Sequence, residues 1–166
     1  MLDAMEHPKA VGDRSTLAIL LALHATGYVV AVPFGENTRY DLLIDDGQAI
    51  SRVQCKTGRL RAGAIRFPAC SSYEHHARPK ARRRDYLGQI DFFGVHCPET
   101  SGVYLVPIAD ALLTRQGALR VEPPRNSQRK GIRLAADYEI GSVDLRGPKG
   151  LTQSGARKEP GATSGA

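Results

Sequence analysis

Cysteine is scarce in this chain: Cys55, Cys70 and Cys97 are an odd set of three with no Cys-x-x-Cys pair. That argues against a disulfide framework and a structural zinc site, and fits a reducing cytoplasm. His75-His76, near Cys70, match no zinc spacing and read as part of a solvated loop. An apolar signal core is missing from the N-terminus, where Asp3 and Glu6 stand, and no stretch approaches the length needed to span a bilayer. The expectation is therefore a cytoplasmic protein with no membrane partner. Internal repeats are absent too.

What is present is the composition of a soluble globular domain, 42% hydrophobic and 24% charged over 166 residues, with a net charge of +6. The length suits one domain with a real core. We expect it to occupy residues 1–145, because from Arg146 the Gly, Pro, Lys, Ser, Thr and Ala sequence reads as a disordered tail over 146–166. The positive charge favours polyanionic partners, nucleic acid being the commonest.

The chemistry concentrates between Arg39 and Thr57. Asp46-Gly47 predicts a two-residue hairpin turn between runs rich in β-formers. Such a turn sets Asp45 opposite Gln48 and Asp41 opposite Arg52. Arg52, Gln54 and Lys56 alternate onto one face, and Asp41 joins them. A three-residue loop would send Asp41 to the other face. A carboxylate, an amide oxygen and a lysine on one surface suit magnesium-assisted hydrolysis of a phosphodiester, since magnesium takes hard oxygen ligands and keeps several waters. Asp41 and Gln54 would hold the ion, and Lys56 would orient the attacking water or neutralise developing charge. The plain alternative is an amphipathic hairpin whose polar face meets water.

Asp41 followed by Gln54-Cys55-Lys56 resembles the signature of the PD-(D/E)XK nuclease superfamily, an acid on one strand and acid-x-Lys on the next. Pro33-Phe34-Gly35-Glu36-Asn37 before Tyr40-Asp41, and Gly88-Gln89-Ile90-Asp91-Phe92-Phe93, are similar to the branch with intron-encoded homing endonucleases, which also uses Gln-x-Lys. The resemblance spans roughly residues 10 to 140. It implies an α/β, restriction-endonuclease-like core: an N-terminal helix packed on a mixed central β-sheet with flanking short helices. It also implies Mg2+ (or Mn2+) held by Asp41 and Gln54. The family's first helix often supplies a glutamate near a Gly-Asp pair. Here Gly12-Asp13 is followed by Thr16 where that acid would stand. Asp13 is the candidate third metal group, with a helix cap as its alternative role.

Along the chain, Val11 to Thr26 predicts a helix apolar nearly all round, closed by Gly27. Its stripe of Asp13, Leu17, Leu20 and His24 would look toward the sheet, and its other side toward a second subunit. Strands are expected at Tyr28 to Pro33, Ala64 to Phe67, Asp91 to His96 and Val103 to Pro107, the last two deep in the sheet. A short helix should follow over Ile108 to Arg115, and a last ordered piece over Ile132 to Ile140. Arg59 and Arg61 in the loop Gly58 to Gly63, and Arg78, Lys80, Arg82, Arg83 and Arg84 in the densest basic run, are candidate contacts to the DNA backbone. Solvated basic loops are their bland reading. That run lacks interleaved aromatics apart from nearby Tyr73 and Tyr86, which favours duplex backbone over stacked single strands.

The expected function is magnesium-dependent cleavage of double-stranded DNA. One such site cuts one strand, so a double-strand break calls for a homo-oligomer, a dimer or tetramer. The alternatives are a catalytically degenerate DNA-binding module of the same fold and a junction- or RNA-specific nuclease.

Overall fold

The computed structural model describes residues 7–35, 37–73, 82–111, 116–123 and 131–140. Helix α1 (Pro8–Ala25) opens the chain. His7 is its N-cap, accepting through Nδ1 from the Lys9 N–H at 3.3 Å, and Pro8 sits in the first turn, where its missing N–H costs nothing. The helix therefore begins before Val11, and Asp13 lies too far inside it to be its cap. Then come β1 (Val29–Ala31), β2 (Leu42–Asp45), β3 (Ile50–Thr57), β4 (Arg59–Arg61), β5 (Ala64–Pro68), β6 (Ser71–Tyr73) and β7 (Arg82–Arg84). The chain continues with β8 (Phe92–Cys97), β9 (Gly102–Pro107), α2 (Ile108–Ala111), β10 (Gln116–Arg120) and a 3-10 turn at Ala135–Tyr138.

The main sheet has the order β1-β2-β3-β8-β9, mixed because β3 and β8 run parallel while the other pairs are antiparallel. α1 covers one face, packing Ile19 and Leu23 against Leu42, Ile44, Val53 and Leu105. A smaller sheet, β10-β5-β4, covers the other, where Ile65, Phe67 and Leu119 meet Phe93, Val95 and Val106. The two cores provide the hydrophobic stabilisation, at roughly 1.5–3 kcal/mol per fully buried large side chain. β6 and β7 form a separate two-stranded ribbon.

Several expectations change. α1 buries Ser15, Ile19 and Leu23; of the Asp13–Leu17–Leu20–His24 stripe only Leu20 packs partly against that core, and Leu17 and Leu21 are left about two-thirds exposed at 64% and 66%. Gly94 selects that row. A Cβ there would stand 2.8 Å from Ile19 Cγ2 and 3.1 Å from Val53 Cγ1, so the helix approaches where β8 has no side chain. The Gly58 to Gly63 loop contains β4, and the run Arg82–Arg84 is a strand paired with β6. β9 is buried yet lies at the sheet's edge, bridged at Tyr104 to Glu139. α2 is described only over Ile108–Ala111, and the 146–166 tail, like Arg78 and Lys80, lies outside the described residues.

The central hairpin departs by two residues. Asp45 pairs with Ile50 and Leu42 with Val53, so the connection is the four residues 46–49. Only Gly47 there takes a left-handed conformation, at φ 86. Asp46 instead accepts the Gln48 and Ala49 N–H groups on Oδ1, both at 2.8 Å, which stabilises the longer turn. An even shift preserves the alternation of faces, so Asp41 comes level with Gln54 in place of Arg52.

Candidate active site

Because β2 is antiparallel to β3, and β3 parallel to β8, the start of β2 and the ends of β3 and β8 meet at one end of the sheet. Asp41 stands there just before β2. Its Oδ2 accepts the Cys55 N–H at 2.7 Å and the Gln54 amide Nε2–H. The same amide nitrogen lies 3.5 Å from the Cys55 carbonyl oxygen. A partial positive charge is thus placed between a carboxylate oxygen and a carbonyl oxygen. Burial pushes the Asp41 carboxyl up from its ordinary value; the Cys55 N–H, the Lys56 charge and the Gln54 amide pull it down. Cys55 points into the α1 core, where burial first and the Asp41 charge second push its thiol up to about 12. An un-ionised thiol makes it an inert core residue.

Lys56 shares the Gln54 face of β3, the one turned away from α1. Its Nζ donates to the Tyr86 hydroxyl at 3.0 Å. Tyr86 is buried, its ring edge-on to Phe93 with centroids 5.5 Å apart. Arg39 stacks over the Tyr86 ring at 4.3 Å and donates to the Gln89 side chain, to Ser71 Oγ at 3.0 Å and to the Asp85 carbonyl at 2.7 Å. Arg52 has a different task. Asp91 accepts its backbone N–H at 2.7 Å and its guanidinium at 3.2 and 3.3 Å, fastening β3 to the start of β8 away from Asp41.

Among the candidates named from sequence, Asp41, Gln54 and Lys56 come together. Asp13 is exposed on α1, on the opposite side of the sheet from Gln54 and Lys56, and the geometry does not gather it with them. Among the described residues, no group of three or more His, Cys, Asp or Glu side chains is placed to hold a metal. Arg59 is exposed and pairs with Glu99 at 3.5 Å, and Arg61 is exposed near the turn of the β4–β5 hairpin. Arg59, Arg14, Ser15 and His96 line a cleft of about 420 Å3. Ser15 Oγ meets Thr57 Oγ1 at 2.7 Å and His96 Nδ1 at 3.3 Å, which ties α1 to the same end of the sheet; burial lowers the His96 pKa. Tyr86 and Arg39 escaped the sequence reading. Tyr86 stood out only as an aromatic beside a basic run, and Arg39 only as the residue before Tyr40-Asp41.

A site holding a divalent ion here would have one carboxylate, Asp41, and two neutral oxygens, the Gln54 amide and the Cys55 carbonyl. All are hard donors of the kind magnesium accepts alongside water and substrate phosphate. Gln54 now presents its amide nitrogen to Asp41; rotation about its last bond would present the oxygen instead. The residues present fit the ion.

No curated protein sequence matches this chain at a significant level. Among solved structures, a bacterial homing endonuclease is similar to it with a TM-score of 0.65 and 21% identity, over 82% of this chain and 90% of that one, a likeness that shows a common fold. Among the described residues no helix is long and apolar enough to cross a membrane. The profile of the PD-(D/E)XK endonuclease family matches residues 6–141. That span carries Asp41 and the Gln54-Cys55-Lys56 run, and the chain belongs to the PD-(D/E)XK endonuclease family.

Proposed function

We propose that the protein is a divalent-metal-dependent endonuclease acting on double-stranded DNA, with Asp41, Gln54 and Lys56 as its catalytic residues. The observation that carries this reading is the Gln54 amide lying between Asp41 and the Cys55 carbonyl, with the Lys56 ammonium on the same face of β3. A bound magnesium or manganese ion would polarise the phosphodiester and make an attacking water more acidic. Asp41 contributes the negative charge of the site. Gln54 and the Cys55 carbonyl complete an oxygen donor set without adding more charge. Lys56 orients the water or stabilises charge developing on the phosphate, which a fixed donor does without reorganising during the reaction.

Net charge supports a polyanionic substrate, and Arg59 and Arg14 lie on the α1 side of the same sheet end. The Arg82–Arg84 strand sits just before Tyr86, so a duplex contacted by that ribbon would be near Lys56. Two copies acting together would produce a double-strand break. Asp13 has no part in this reading. A second reading, a DNA-binding module that no longer cuts, draws on one observation: Gln54 and Thr16 stand where relatives carry acids, leaving Asp41 as the one carboxylate of the proposed set.

Supercoiled plasmid incubated with purified protein in magnesium, manganese or chelator separates the two. The nuclease predicts nicked and linear product with either metal and none with chelator. DNA binding without product in both metals, on linear, supercoiled and branched substrates, would establish the binding module.

A further inference from the structure

Lys56 ends a flexible four-carbon stem, and a lysine ammonium beside a carboxylate would ordinarily fold onto it. Here its charge is felt by Asp41, yet among the described residues it forms no ion pair with Asp41 and donates to the Tyr86 hydroxyl at 3.0 Å. Phenylalanine would fill the Tyr86 position against Phe93 equally well, so packing alone does not call for the oxygen. With the residue only 4% exposed, that hydroxyl needs a partner, and Lys56 supplies it.

Tyr86 is itself fixed from several sides. Arg39 covers its ring at 4.3 Å and reaches Ser71 on β6, the Asp85 carbonyl just after β7, and Gln89. The Gln89 N–H closes the turn onto the Tyr86 carbonyl at 2.9 Å. The guanidinium plane serves both the aromatic face and a fork of acceptors, which lysine cannot do. Arg39 also lies two residues before Asp41, so one segment carries both the carboxylate and the clamp that fixes the lysine's partner.

We infer that Tyr86 is a positioning residue, its hydroxyl holding the Lys56 ammonium apart from Asp41 and ready for substrate, and that Arg39 locks Tyr86 in that place. The inference rests on the nuclease reading and deepens it. Tyr86→Phe keeps the ring and removes only the hydrogen bond. It should lower kcat on the order of 10- to 100-fold while KM and DNA affinity stay within twofold, because the loss is one of placement. Arg39→Lys should produce the same split. In a Lys56→Ala background Tyr86→Phe should have no further effect, since it acts through the lysine.

A readout independent of cleavage is the lysine side-chain NMR spectrum. The signal lost in Lys56→Ala identifies Lys56, and it should shift in Tyr86→Phe. Wild-type turnover in Tyr86→Phe, an equal further loss in the Lys56→Ala background, or an unmoved Lys56 signal would overturn the inference while leaving the nuclease intact. A Lys56 signal that shifts in Tyr86→Phe, with wild-type protein that cuts nothing, would refute the nuclease reading, and the catalytic role of the contact with it.

Discussion

Replacing Asp41 with Asn should end cleavage and leave the protein at least as stable at neutral pH. Burial is the largest influence on this carboxyl and pushes its pKa up, against the Cys55 N–H, Lys56 and the Gln54 amide. The folded state therefore binds the proton more tightly than the unfolded chain. The stability this contributes is fully present below the unfolded value, near 4, and is lost as pH rises through the folded value. At neutral pH the ionised group works against folding, and an amide removes that opposition. Asn also keeps an oxygen able to accept both donors, so we expect stabilisation between zero and about 1 kcal/mol. Asp41→Ala differs by deleting the acceptor. It strands the Cys55 N–H, at about 1–3 kcal/mol for a donor shielded from water, and leaves the half-buried Gln54 amide only the Cys55 carbonyl, less the relief of the carboxylate's own desolvation. A net loss of about 1–3 kcal/mol should remain. Urea unfolding of the three proteins from about pH 3 to pH 8, beside plasmid cleavage in magnesium, checks both halves. The advantage of Asn over the wild type should grow from acid to neutral pH. An Asn variant clearly less stable than wild type at neutral pH, or an Ala variant as stable as Asn, would refute the hydrogen-bond geometry. Product from the Asn variant would refute the proposed role.

Gln54→Glu should keep magnesium-dependent cleavage, yet in chelator it should lower stability by about 1–3 kcal/mol, because Asp41 loses a donor and gains a second carboxylate. Magnesium should restore the melting temperature; equal melting with and without the ion would show that the pair does not hold it. Asp13→Ala should leave stability within about 0.5 kcal/mol and cleavage unchanged, as expected of an exposed side chain that is neither cap nor neighbour of Gln54. A tenfold loss of cleavage partly rescued by higher magnesium would return Asp13 to the site. Neutralising Arg82, Arg83 and Arg84 to Ala together should flatten the salt dependence of DNA binding by about two to three units of slope, with sequence preference unchanged; an unaltered slope would leave these residues with a structural role only.

The elements that could be read from sequence are those whose signals are local. α1 with its stop, β5, β8 and β9 fall within a few residues of expectation, since propensity and apolar runs describe them. β4, β6, β7 and β10 did not declare themselves. β4, β6 and β7 are only three residues long, all four pair outside the main sheet, and β6 and β7 are strands because they have each other. The face α1 presents was likewise illegible. It depends on Gly94, far along the chain on β8, having no side chain to block Ile19. An alternation of leucines and alanines cannot announce which row finds that gap.

The grouping of Asp41, Gln54 and Lys56 at the candidate site is legible in the sequence even though the expected turn is two residues too short. The expected two-residue turn and the observed four-residue connection differ by an even number, and strand side chains repeat every two residues. The slip therefore exchanged Arg52 for Gln54 opposite Asp41 without changing faces. An odd slip would have turned Asp41 toward Ile19 and Leu23 in the α1 core, where a carboxylate has no tolerable place. Burial of Leu42 and Ile44 thus excludes odd registers, and the Asp46 side chain chooses between the even ones by serving two N–H groups of the longer turn. What parity could not convey was the third dimension. Tyr86 reaches Lys56 from a turn some thirty residues downstream, and Arg39 reaches Tyr86 from two residues before Asp41, and nothing periodic connects those positions. A motif names the groups that meet the substrate. The residues that set one of those groups at a working distance appear only when the chain has folded.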